Sequence, residues 1–213
     1  GRDLGRRSAQ RPDLMRGVIT QPLADPEFRP EAVRNSLQLA RGDGTYAEIA
    51  FLAGLAATGW SWSCVFLDVD LDGWEDVLVA TGNNHDVQDA DALRRVRSDP
   101  APPSPENRAR QLAWFPRLPL PNLAFRNQRD LTFREMGAAW GFDAEGVSHG
   151  LALADLDGDG DLDVVVNNLN GAVSLYRNDT PAPRLHVRLR GAGMNTRGIG
   201  ARLTVRGGPV LQT

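Results

Sequence analysis

The chain has 213 residues, 41% apolar and 24% charged, enough for one ordinary domain or two small ones with a packed core. A formal net charge of -3 offers nucleic acid and anionic lipid no general attraction, and the clustered arginines (Arg6, Arg7 and Arg11; Arg94, Arg95 and Arg97) read as solvated or subunit-facing surface. No apolar run is long enough for a transmembrane segment, and no apolar signal-peptide core lies near Gly1.

Residues 1–34 are irregular and proline-punctuated, a lead-in to the repeated part of the chain. From Asn35 onward the chain matches itself at an offset of 87 residues. Asn35, Asp43, Thr45, Glu48, Gly54, Gly59, Ser61, Asp68, Asp70, Asp72, Gly73 and Asp76 fall on Asn122, Asp130, Thr132, Glu135, Gly141, Gly146, Ser148, Asp155, Asp157, Asp159, Gly160 and Asp163. Repetition of this kind marks stacked or radial supersecondary units.

In the first unit, 35–82, strands are expected at 36–40, 46–49, 63–69 and 77–81, with a short helical turn within 50–57. The Gly42-Asp43-Gly44 turn separates the first two strands. Cys64, the only cysteine, lies in the apolar run Cys64-Val65-Phe66-Leu67 and reads as a buried small hydrophobe. A proline-rich insertion occupies 83–121, where Pro100, Pro102, Pro103, Pro105, Pro116, Pro119 and Pro121 exclude a central strand over much of its length. Within it 89–97 suits a short helix, and Trp114 and Phe115 tether the excursion to the body. The second unit, 122–178, repeats the pattern with strands at 123–126, 133–136, 151–156 and 164–167 and a helical turn at 138–142. A last strand at 172–177 comes after the Asn170-Gly171 turn.

Each unit contains an acidic loop. The first is Asp68-Val69-Asp70-Leu71-Asp72-Gly73-Trp74-Glu75-Asp76 and the second Asp155-Leu156-Asp157-Gly158-Asp159-Gly160-Asp161-Leu162-Asp163. Carboxylates recur at loop positions 1, 3, 5 and 9, with glycine at 6 where the chain must turn sharply. Calcium takes roughly six to eight hard oxygen ligands, and alternating carboxylates on a tight loop converge on one point. Position 7, Trp74 or Asp161, is expected to offer its backbone carbonyl, which leaves its side chain free to vary. An EF-hand needs a bidentate glutamate at position 12, but Val79 and Val166 stand there, and β-branched strand sequence comes after each loop. Strand-loop-strand calcium sites, two ions in all, are the expectation. Magnesium fits less well because it demands octahedral geometry and retains water.

Other chemistry is sparse. His85, His149 and His186 form no zinc spacing with the lone cysteine, and no phosphate loop or nucleophile elbow is present. Ser61, Ser148, Trp60 and Trp62 read as strand packing, with a ligand-facing rim as the alternative. No catalytic constellation is evident, so the chain is expected not to be an enzyme. The rival readings are an enzyme whose pocket is formed by 83–121, and a cell-surface adhesion or carbohydrate-binding module using Trp60, Trp62 or Trp114.

Several segments resemble the FG-GAP/VCBS-type propeller repeats of the cartilage acidic protein 1-like family. They are Arg34-Asn35-Ser36-Leu37-Gln38-Leu39, Gly42-Asp43-Gly44-Thr45-Tyr46, Gly59-Trp60-Ser61-Trp62, Pro121-Asn122-Leu123-Ala124-Phe125-Arg126-Asn127, both acidic loops, and Val165-Val166-Asn167-Asn168 through Leu175-Tyr176-Arg177-Asn178. The stretch from Asn195 to Val205 resembles the opening of an ASPIC/UnbV domain, taken to begin at 179 and run to 213. The resemblance implies an all-β fold of β-propeller blades (a partial propeller here) and then the start of a small β domain. It also implies calcium held by Asp68, Asp70, Asp72, Trp74 and Asp76 and by Asp155, Asp157, Asp159, Asp161 and Asp163. An extracytoplasmic binding or scaffold role, periplasmic, cell-surface or secreted, goes with it. Two units are fewer than the roughly four blades a closed propeller needs, so the chain is expected to be a piece of a longer protein or an accessory subunit whose partner covers its open edges.

Overall fold

The computed structural model describes residues 34–183, 185, 187–191 and 193–205. The lead-in up to 33, with Arg6, Arg7 and Arg11, lies outside the described residues, as do His186 and 206–213.

In chain order the elements are β1 (Gln38–Ala40), β2 (Tyr46–Glu48), α1 (Ala50–Ala53), β3 (Ser61–Leu67), β4 (Asp76–Thr81), α2 (Ala90–Arg97), α3 (Pro105–Leu112), β5 (Leu120–Pro121), β6 (Leu123–Asn127), β7 (Phe133–Glu135), α4 (Gly137–Trp140), β8 (Glu145–Gly146), β9 (Ser148–Ala154), β10 (Asp163–Asn168) and β11 (Ser174–Tyr176). Strands β3-β4-β6-β7 form one antiparallel sheet and β9-β10-β11 a second, with two-stranded pairs β1-β2 and β5-β8 beside them.

The repeat is kept down to its register. Gln38 faces Glu48 in the first hairpin, and Phe125 faces Glu135 in the hairpin 87 residues on. Leu67 pairs with Asp76 as Ala154 pairs with Asp163, and both pairs of long strands carry an irregularity at the end away from the acidic loop. Local chemistry explains the match. Asp43 Oδ1 accepts from the Thr45 N–H and hydroxyl, closing the β1-β2 turn, and Asp130 does the same for Thr132 between β6 and β7. Glu48 accepts from the Ala50 N–H at the start of α1, and Glu135 from the Gly137 N–H at the start of α4. Both of those short helices end on a left-handed glycine, Gly54 or Gly141.

Strand pairing crosses the repeat boundary. The larger sheet takes β3 and β4 from the first unit and β6 and β7 from the second, joined by hydrogen bonds between β4 and β6. Alternation along these strands then builds two cores. Leu67, Leu78 and Ala124 on one face of the larger sheet pack with Phe142, Val164 and Val166, and with Leu151, Leu153 and Tyr176 of the smaller sheet. Val77, Val79 and Phe125 on the opposite face pack with Ala53 and Leu55, and with Leu37 from the segment entering β1.

Three sequence expectations are corrected. The fold is not all-β: α2 and α3 fill the insertion, and α1 and α4 sit in the repeat units. Asp89 caps α2 by accepting from the Asp91 and Ala92 N–H groups, while α3 starts with Ser104 as cap and Pro105 in the first turn. The prolines that exclude a strand there thus admit a helix. Nor do the sheets form a propeller, because among the described residues they stay open and none closes on itself or around an axis. Cys64 is exposed rather than buried, since it lies on the face of β3 that the second core does not cover. Among the described residues of 179–205 there is no helix or multi-residue strand, only turns and the bridge residue Val205. No helix among the described residues is long and apolar enough to cross a membrane.

Candidate metal centre

Each acidic loop joins the two long strands of its unit, the first between β3 and β4 and the second between β9 and β10. Backbone N–H groups shape both loops around the leading aspartate. Asp68 accepts from Asp72 and Gly73 at 2.9 and 2.8 Å, and Asp155 from Gly158 and Gly160 at 2.7 and 3.2 Å. Gly73 and Gly160 have φ of 90° and 97°, a backbone that favours glycine. Position 4 is also left-handed in the first loop, where Leu71 has φ 54°, while Gly158 stands at the matching place in the second.

The carboxylates gather differently in the two loops. Asp68, Asp70 and Asp76 each bring an oxygen within 4.8 Å of the others, and so do Asp155, Asp157 and Asp159. Asp72 is turned aside by two arginines. Arg126 bridges Asp70 and Asp72, and Arg129 adds a 2.7 Å contact to Asp72. At the last position, both carboxylates serve as ties. Asp76 accepts from the Val69 N–H in its own loop and the Asn127 N–H at the end of β6, and Asp163 accepts from Leu156 and from Asn178 beyond β11. Trp74 is partly exposed, whereas Asp161 is buried.

The donor set fits a hard cation. Asp70 Oδ1 is shielded from solvent yet has no hydrogen-bond partner. Burial pushes Asp76 up to about 6 against the N–H groups of Asn127 and Val69, and neighbouring Asp70 and Asp68 add to the rise. Asp68 is raised by burial first, with Asp72 and Asp70 contributing, and Glu75 by burial and Asp68. A cation among these groups offsets the cost of burying their charge, which chiefly holds their proton affinities high, and relieves the smaller repulsion between them. Arg126 is the protein's own partial answer, and its contact with Asp70 raises its pKa.

Sequence reading missed Arg126 and Arg129, which reach the first loop from the other unit. The available signal was the Arg126-Asn127 and Arg177-Asn178 pairs, each closing a strand beside an acidic loop. In the second pair Arg177 turns to Asp179 instead, and Asn178 and Thr180 both donate to the Val69 carbonyl of the first loop. The other singled-out residues have structural partners. His85 contacts the Phe115 carbonyl at 3.0 Å, and His149 lies against Trp62 with ring centroids 4.6 Å apart. Trp60 stacks on Trp62, and Trp114 lies beneath the guanidinium groups of Arg95 and Arg110.

No family model matches the chain, and no curated protein matches it either. The resemblance to FG-GAP/VCBS repeats and to an ASPIC/UnbV domain is therefore not supported, and the open sheets with their helices stand against the propeller it implied. Two aspartate clusters able to chelate a metal remain.

Proposed function

We propose that the chain is a calcium-stabilised binding or scaffold module acting outside the cytoplasm. The observation that carries this reading is the paired placement of the loops: each sets three carboxylate oxygens within 4.8 Å at the junction of two long strands. Oxygen-only donors on a tight turn suit calcium better than magnesium or a transition metal. Asp157 and Asp159 are exposed, and extracellular calcium modules bind in the range of about 10⁻⁴–10⁻³ M, so millimolar calcium is the range to titrate. In this reading the aspartates are structural: the leading one shapes its own loop through backbone N–H groups, and the closing one ties the loop to the end of β6. A bound ion adds its binding free energy to folding.

Calcium titration and subsequent chelation test it. The melting temperature is expected to rise with calcium, fall on EDTA treatment and recover on re-addition, with magnesium at equal concentration giving a smaller shift. An unchanged melting temperature after thorough metal removal, together with no heat of calcium binding by calorimetry, refutes the proposal.

A further inference from the structure

On β9, Leu151 and Leu153 pack into the core between the sheets together with Leu67 and Leu78. Their counterparts 87 residues earlier are Cys64 and Phe66 on β3, and these stand open, Phe66 at 52% exposure. Together with Leu37, Leu55, Val77 and Val79 they line a cavity of about 260 Å³. The other half of this face is already filled. Leu37 packs on it beside Val77, Val79 and Phe125, and Leu37 is the counterpart of Ala124, which does the same for the second sheet.

What covers Leu151 and Leu153 is the β3-β4 pair, with β4 hydrogen-bonded to β6 through Val77 to Val79. The counterpart of β6 is β1, which has β2 on one edge and, among the described residues, no strand on the other. Asn122 accepts from the Thr81 N–H at the end of β4, and Asn35 stands at the matching place beside the cavity. The repeat therefore specifies the shape and chemistry of the occupant. It is an antiparallel pair of strands whose inner strand bonds to the edge of β1 away from β2, laying branched aliphatic side chains over Cys64 and Phe66.

We propose that this face binds a partner protein through a β-hairpin of β3-β4 chemistry, with aliphatic residues where Val65, Leu67 and Leu78 stand. A second copy of the chain fits less well, because β11 already occupies the edge of β10 that would have to reach β1. The proposal rests on the binding half of the functional reading and not on calcium.

The test uses the full chain, with Cys64 as reporter. A synthetic peptide of residues 61–82 carrying Cys64→Ser is added at rising concentration, and alkylation of the protein's own thiol is monitored by mass spectrometry. In a second arm the same hairpin is fused ahead of Gly1, so that a marginally stable hairpin is presented at high effective concentration. Loss of alkylation in either arm is expected, and Phe66→Glu, at an exposed position, should restore it. Three outcomes overturn the proposal: unchanged alkylation in both arms, protection that persists in Phe66→Glu, or protection already present in the unmodified chain, whether dilute or only when concentrated. The calcium-dependent melting shift, measured on the same samples, reports separately on the metal sites.

Discussion

Asp76 and Asp163 each hold one backbone N–H of their own loop and one from the end of the neighbouring strand or just beyond it, so one carboxylate stitches a loop to the next strand. Replacing Asp76 by asparagine leaves one of those donors without an acceptor, a loss of about 1–3 kcal/mol at a site only 1% exposed. The same change removes a charge that burial disfavours, which offsets part of the loss when no metal is present. Asp76→Asn should therefore destabilise more in calcium than in EDTA, as read from urea unfolding in both buffers. Arg126 sets the two loops apart. Its guanidinium competes with a cation for Asp70 and Asp72, whereas Arg177 turns to Asp179. Arg126→Gln should tighten calcium binding at the first loop by about 0.5–1 kcal/mol in a calorimetric titration, the scale of a half-exposed ion pair. Equal site affinities in wild type and variant would show that the arginine does not compete.

Among the elements, the tightest junction is where β4 ends beside β8. Gly82 has φ 105°, and a Cβ built there would lie 2.2 Å from the Gly146 carbonyl oxygen and 3.0 Å from the Val147 Cα. Backbone cannot yield as a flexible side chain does. Gly82→Ala should cost about 2 kcal/mol or more through strain and overpacking together. Gly42→Ala makes the comparison: its φ is 81° but its Cβ would meet nothing within 4 Å, so only the backbone strain remains. Chemical unfolding of both variants separates the two contributions, and equal losses would show that the close approach to β8 does not matter. The insertion is held by similar local means. Arg110 and Gln111 of α3 both reach Asp99 beyond α2, and Trp114 lies beneath Arg95 and Arg110, so the two helices brace each other.

At the scale of the whole molecule, the core between the sheets is shared property. Leu78 belongs to the first unit, Ala124 and Val166 to the second, and none of the three is more than 2% exposed. Because the larger sheet draws strands from both units it is lost if either unfolds, and the smaller sheet then loses the Leu67 and Leu78 side of its core. Unfolding should be a single cooperative transition, coincident by circular dichroism and tryptophan fluorescence. Leu78→Ala should cost about 2–5 kcal/mol without splitting it. Two separated transitions would mean that the units are independent after all.

The sequence alone determined the repeat, the strand positions around each loop, the acidic loops themselves and the absence of EF-hand chemistry. These features are written within a few residues: an aspartate that closes its own turn, a glycine at position 6, carboxylates at alternate places. The helix at Pro105–Leu112 was also written there, in Ser104 and Pro105, but proline density hid it. Tertiary structure alone decided that β4 pairs with β6 across the insertion, that Arg126 reaches back to Asp70 and Asp72, that Cys64 stands open, and that the sheets do not close. Each of these depends on which surfaces meet after the chain has travelled tens of residues. A local pattern specifies what a strand can bury, whereas its neighbour is chosen by the packing of everything else.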